Sequence, residues 1–244
     1  MHRHIPNFIT ILNLLTGVAG IWFVLESNPF TGALLIFLAA MFDFLDGMTS
    51  RMLDAYSDVG KSLDSLADVV SFGVLPGMIV FKLQSIALGT GADFQWGDNF
   101  TVTEKLLLLT PLVIPAFSAV RLARFDNDER QTSEFRGLPT PANALFIAAW
   151  LGSYPLLNEK IQWIYNSWFI TIVSLFLAVL LITDVRMFSL KFKTYDIKTN
   201  LLRYIFLGIS ALSIILMNLA GVMVVIVLYI IFSIARNLLA RKED

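Results

Sequence analysis

Eight strongly apolar runs dominate this sequence, and they leave very few folds open to it. They cover about 6–26, 30–49, 67–89, 103–122, 141–157, 166–188, 201–217 and 220–237. A helix needs roughly 20 apolar residues to cross the hydrocarbon core of a bilayer. Lipid offers no hydrogen bonds to the backbone, so each run must satisfy its own N–H and C=O groups, as a helix does. Charged residues make up 15% of the chain, against about 25% in a soluble domain. The expected fold is therefore all-α and polytopic, with eight transmembrane helices. The first run holds Asn7 and Asn13 and lacks a cleavage pattern, so it reads as a retained helix that is not purely lipid-facing. Asn218 to Gly221 reads as a short turn between the last two runs.

Charge then orients the bundle. Alternate gaps between runs place Arg3, Arg51, Lys61, Arg121, Arg124, Arg130, Arg136, Arg186, Lys191, Lys193, Lys198, Arg203, Arg236, Arg241 and Lys242 on one side. Only Lys82, Lys105 and Lys160 remain for the other. The positive-inside rule puts the richer side, and with it both termini, in the cytoplasm. An even number of spans is what that arrangement requires. The stretch 90–102, with Asp93, Trp96 and Asp98, reads as a solvated external loop. No nucleic-acid partner is expected.

Cysteine is absent, which excludes disulfides and thiolate metal sites. The two histidines, His2 and His4, sit at the N-terminus, so a buried imidazole site is not expected. Any metal must be held by oxygen, which suits Mg²⁺ or Mn²⁺.

The chemistry concentrates between Asp43 and Asp68. Asp43 and Asp46 lie three apart, and Asp64 and Asp68 four apart, so each pair shares one helix face. The pairs fall at the cytoplasmic end of the second run and the start of the third, joined by a short connection. Carboxylates gathered at an apolar boundary repel one another and lose hydration. Arg51 and Lys61 compensate in part, and divalent cations would compensate further. Two such ions about 3.5–4 Å apart commonly clamp the attacking and leaving oxygens of a phosphoryl transfer. Gly47 and Gly60 would let a base or phosphate approach the backbone, although close helix packing accounts equally well for either glycine alone. Acidic residues with this phasing at span ends point to function rather than to a solvated loop.

These positions resemble the motif of the CDP-alcohol phosphotransferases, D-x-x-D-G-x-x-A-R-x8-G-x3-D-x3-D. Asp43, Asp46, Gly47, Arg51, Gly60, Asp64 and Asp68 keep every spacing. Ser50 departs from it, standing where the family usually has alanine. The resemblance covers roughly residues 5–190 and implies a six-helix membrane core at 1–190, followed by two additional helices at 191–244. It also implies site roles. Asp43, Asp46, Asp64 and Asp68 would hold two Mg²⁺ or Mn²⁺ ions, with Asp43 and Asp64 bridging. Asp68 would act as general base. Asn7, Thr10, Gly47, Arg51, Ser57 and Gly60 would bind the CDP-lipid. A homodimer in the cell (inner) membrane, with a cytoplasmic active site, is expected on the same ground.

Three further stretches are similar to the phosphatidylserine synthase branch: Asp64 to Pro76, Arg121-Leu-Ala-Arg-Phe125, and Phe135 to Pro141. They imply CDP-diacylglycerol as donor and L-serine as acceptor. Arginine suits the carboxylate of serine, and Arg121, Arg124 and Arg136 are the candidate acceptor-binding residues. Cytoplasmic arginines also follow from the positive-inside rule alone. A phosphorylated acceptor such as glycerol-3-phosphate or inositol phosphate would need arginines too. A cation transporter is a more distant alternative, since its acidic groups would lie nearer the midplane.

Overall fold

The computed structural model describes residues 4–89, 100–127, 136–154, 163–187 and 196–240. Among them, ten α-helices form eight rods. Most of the expected 90–102 loop lies outside the described residues, as do Arg3, Arg130, Lys160, Lys191, Lys193, Arg241 and Lys242.

Helices α1 (His4–Leu25) and α2 (Pro29–Met52) form a tight antiparallel hairpin. Asn28 closes it: its side chain accepts from the Thr31 N–H at 3.2 Å, and Pro29 occupies the first turn, where a missing N–H is harmless. Close approach is possible because Gly32 faces Val24 and the Gly20 carbonyl, at 2.6 and 2.9 Å from where a Cβ would stand.

The third rod joins α3 (Asp58–Val69) through a π turn (Val70–Val74) to α4 (Leu75–Ala87). It begins at Asp58 rather than near residue 67. Hydropathy misses the polar opening turns, but Ser57 caps them by accepting from the Gly60 N–H at 3.0 Å. Asp64 therefore lies well inside a helix. Pro76 follows the π turn; proline lacks an N–H and crowds the preceding turn, and the wider turn makes room for it. The Ser71 hydroxyl donates to the Asn13 carbonyl at 3.0 Å, pinning the π turn to α1.

The fourth rod is built likewise. Helix α5 (Val102–Leu109) opens on a capping box between Thr101 and Glu104, passes a 3₁₀ turn at Thr110–Leu112 and continues as α6 (Val113–Asn127). Pro111 and Pro115 sit at the change of pitch, and Gly73 and Gly77 of the third rod pack against Pro115 and Ser118.

Helix α7 (Thr140–Ser153) stands at the centre, packed by α2, α4, α8 and α10. Ala144, Ile147, Ala148 and Ala149 are fully buried, as suits a helix that is apolar all round. Trp150 anchors its far end against Phe146, Tyr165 and Phe169. Helix α8 (Ser167–Ile182) ends earlier than the expected 188. Its last carbonyls are already taken: Leu180 accepts from the Leu138 N–H and Ile182 from Arg124. Thr183 is accordingly extended. Helices α9 (Ile197–Met217) and α10 (Leu219–Ala240) are joined by the single residue Asn218, at φ 51°.

Six rods are long and apolar enough to cross a membrane, and α8 is a shorter apolar helix. Ile5, Phe8, Leu15, Trp22, Ile215 and Leu216 face outward, as lipid-facing side chains do. The molecule is an all-α polytopic integral membrane protein.

Candidate active site

Two rods bring the carboxylates together. Ligand oxygens of Asp43 from α2 and of Asp64 and Asp68 from α3 all lie within 4.8 Å of one another. Asp46, one turn after Asp43, stands apart from that trio and borders the adjoining cleft. It is buried beside Thr10, and its Oδ2 has no hydrogen-bond partner. Helix spacing puts Asp64 and Asp68 on one face as expected, and the connection from Leu53 to Ser57 turns the chain quickly enough for them to meet Asp43.

Helix α1 supplies the third wall. Pro6, Thr10, Asn13, Gly17 and Gly20 form its buried stripe. Asn13 donates through Nδ2 to Asp68 Oδ1 at 3.3 Å, while its own Oδ1 is buried without a partner. Asn13 is the residue that motif reasoning passed over, although it continues the Asn7–Thr10 stripe by one turn.

Beside the carboxylates opens a cleft of about 730 Å³. Its lining includes Asn7, Thr10, Gly47, Arg51, Ser57 and Gly60, together with Asp46, Asp64 and Phe125. All six residues expected to meet the CDP-lipid thus share one cavity. Gly47 and Gly60 differ in character. A Cβ at Gly47 would meet nothing within 4 Å, so its bare backbone faces open cleft. A Cβ at Gly60 would stand 2.9 Å from both Asn7 Oδ1 and Ser57 Oγ, so that glycine serves packing within the site.

The three arginines occupy different settings. Arg121 is buried, donates through Nη1 to Thr140 Oγ1 at 3.4 Å, and lies 5.8 Å from the Phe125 ring centre. Its Nε has no partner, and Asp68 is its electrostatic neighbour. Ser118 one turn before it, and Asn143 one turn after Thr140, add buried polar atoms without partners. Arg124 is exposed and caps α8 through the Ile182 carbonyl at 3.2 Å. Arg136 is half-buried, 3.9 Å from Asp184, and forms an isolated antiparallel bridge with Arg186.

An oxygen-only cluster of acids, with a buried Asp46 oxygen still unpartnered, is a donor set that could hold a hard divalent cation. It lies between the cleft, which Asp46 and Asp64 line, and the buried Arg121, the electrostatic neighbour of Asp68.

Residues 3–183 match the family described as CDP-alcohol phosphatidyltransferase. Several curated proteins named CDP-diacylglycerol–serine O-phosphatidyltransferase are similar to the chain. One from Bacillus subtilis (strain 168) is 34% identical over 139 residues, covering 57% of this chain and 70% of the relative. One from Methanocaldococcus jannaschii is 32% identical over 182 residues, covering 75% and 72%. One from Helicobacter pylori (strain 26695) is 28% identical over 237 residues, covering 95% and 90%. The match, the motif spacing and the converging carboxylates agree: this chain belongs to the CDP-alcohol phosphatidyltransferase family.

Proposed function

We propose that the protein transfers the phosphatidyl group of CDP-diacylglycerol to L-serine, giving phosphatidylserine and CMP. The observation that carries this reading is the trio Asp43, Asp64 and Asp68 beside a cleft lined by every expected nucleotide-lipid contact. The names of the relatives supply the acceptor.

In this reading Asp43, Asp46, Asp64 and Asp68 would hold two Mg²⁺ or Mn²⁺ ions. Bound there, they would supply positive charge to the diphosphate and to CMP as it leaves. Asn7, Thr10, Gly47, Arg51, Ser57 and Gly60 seat the donor, with Gly47 leaving its backbone open to it. Arg121, Arg124 and Arg136 draw in the serine carboxylate. The serine hydroxyl attacks the phosphorus that carries the diacylglycerol, its proton passes to Asp68, and the bond to the CMP oxygen breaks. Asn13 orients the base by holding Asp68 Oδ1.

Residues 1–190 form the catalytic core in this scheme, and 191–244 add two helices. The site faces the cytoplasm at the inner membrane, where a soluble amino acid meets a lipid-anchored donor. Assembly as a homodimer belongs to the same reading, and light scattering of the detergent-solubilised protein tests it.

The deciding experiment is CMP release by purified protein with CDP-diacylglycerol and Mg²⁺ or Mn²⁺. The acceptors are serine, glycerol-3-phosphate and inositol phosphate. Serine-dependent release is expected. Release with a phosphorylated acceptor alone would overturn the serine assignment and leave the reaction class standing. Folded protein that releases no CMP with any acceptor would overturn both.

A further inference from the structure

The end of α8 and the stretch after it anchor two of the three arginines. Arg124 donates to the Ile182 carbonyl, and Arg136 lies against Asp184 and bridges Arg186. Gly137 and Leu138 donate their N–H groups to Val185 and Leu180, both at 2.9 Å. Gly137, at φ +71°, lies too close to the Leu181 and Thr183 carbonyls for any side chain, so the contact is built for glycine.

The Gly137 to Val185 bond flanks the Arg136–Arg186 pair. In an antiparallel pair of that kind, the N–H and C=O of the paired residue point away from the facing strand. Arg186 therefore turns its main-chain groups outward, where a further strand would ordinarily receive them. Helix α10 receives them instead. Asn237 Oδ1 accepts from the Arg186 N–H at 3.2 Å, and Nδ2 donates to the Arg186 carbonyl at 2.6 Å. The same Nδ2 donates to the Ser233 carbonyl at 2.7 Å, which fixes the amide on its helix. One side chain thus stands in for a strand edge.

The remainder of that helix face points to the same place. Tyr229, Ser233 and Asn237 recur every four residues, so they share one stripe. Ser233 is buried, and Tyr229 is an electrostatic neighbour of Arg121. The stripe therefore reaches the anchor of Arg136 at one end and Arg121 at the other.

We propose that Asn237 is a positioning residue of the acceptor half of the site, acting through Arg186 to hold Arg136 in place. The inference rests on the reading of the arginines as acceptor-binding groups. The last helix, outside the catalytic motif, becomes a working part of the enzyme. Asn237→Ala removes both bonds to Arg186 and frees the 183–187 stretch together with Arg136.

The test compares wild type with Asn237→Ala, Asn237→Asp and Ile231→Ala, the last on an outward-facing position of α10. Three quantities are read: KM for the acceptor that wild type uses, KM for CDP-diacylglycerol, and thermal midpoint in detergent. In Asn237→Ala the acceptor KM is expected to rise about 5-fold, the scale of a lost hydrogen bond or two. The donor KM and the thermal midpoint should match Ile231→Ala. Asn237→Asp keeps the acceptor oxygen for the Arg186 N–H and should fall between, and it decides the matter if the alanine variant does not fold. Amide exchange gives a readout free of activity: faster exchange at Gly137, Leu138 and 183–187, with α7 unchanged. An unchanged acceptor KM, or both KM values rising with a lower thermal midpoint, overturns the proposal. A wild type that prefers another acceptor overturns the serine reading only, since the ratios are taken with that acceptor.

Discussion

Asp68 and Asn13 form the smallest unit on which the chemistry can be tested. Asn13 holds one carboxylate oxygen, and in the proposed reaction Asp68 must offer its charge to the incoming hydroxyl. Asp68→Asn keeps the size and the capacity to accept from Asn13 but removes the proposed base. Turnover is expected to fall by about 10²–10⁴-fold, the usual contribution of a positioned base. Binding of the donor, followed by thermal shift with CDP-diacylglycerol, should persist. The two motif glycines separate ligand from fold. Gly47→Ala meets no protein atom, so it should leave the thermal midpoint unchanged while raising the donor KM. Gly60→Ala presses on Asn7 and Ser57 and should lower the midpoint as well as the affinity. Both effects can be read in one detergent-based assay. The acids were legible in the sequence because acidic residues phased on helix faces at the ends of apolar runs have few innocent explanations. Asn13, Ser118, Thr140 and Asn143 were not. A small polar residue in a membrane helix is as often a packing contact, and only the fold shows which ones meet Asp68 and Arg121.

At the scale of elements, hydropathy located every rod but not every boundary. It saw apolar length, and so it started the third rod near residue 67 and carried α8 to 188. The helix at Asp58 is set by the Ser57 cap, and the end of α8 by carbonyls committed to Leu138 and Arg124. Those are tertiary and capping effects that no window of apolar residues contains. Helix α7 shows how the elements divide their work. Its first turn holds Thr140 against Arg121, while Trp150, about 15 Å further along at the helical rise, closes an aromatic cluster. Trp150→Ala should destabilise the bundle by about 3–5 kcal/mol through the cavity it leaves. Thermal unfolding in detergent reads that loss. The surviving folded fraction should keep its acceptor KM, because the hole opens at the end of α7 remote from the carboxylates.

For the molecule as a whole, the strongest expectation is topological. The chain has no cysteine, so single introduced cysteines report orientation without background. Asp54→Cys, in the turn beside the carboxylates, should react with a membrane-impermeant maleimide only after the cytoplasmic face is opened. Glu26→Cys, at the opposite end of the α1–α2 hairpin, should react in intact spheroplasts. The reverse pattern would place the site outside the cell and remove serine and the cytoplasmic pool from the scheme.

The π turn at Val70–Val74 carries a consequence of its own. Such a turn is a helix with one surplus residue wound into it. That surplus fixes the angular phase between the half-rod bearing Asp64 and Asp68 and the half-rod packed into the bundle. One more residue there would exceed what the single wide turn absorbs and would swing the two halves by about 100° relative to each other. Composition, net charge and hydropathy would scarcely change, yet the acids would no longer face Asp43. The enzyme's active geometry is therefore stored partly as a residue count, and in-frame insertions in that short stretch threaten it more than most substitutions would.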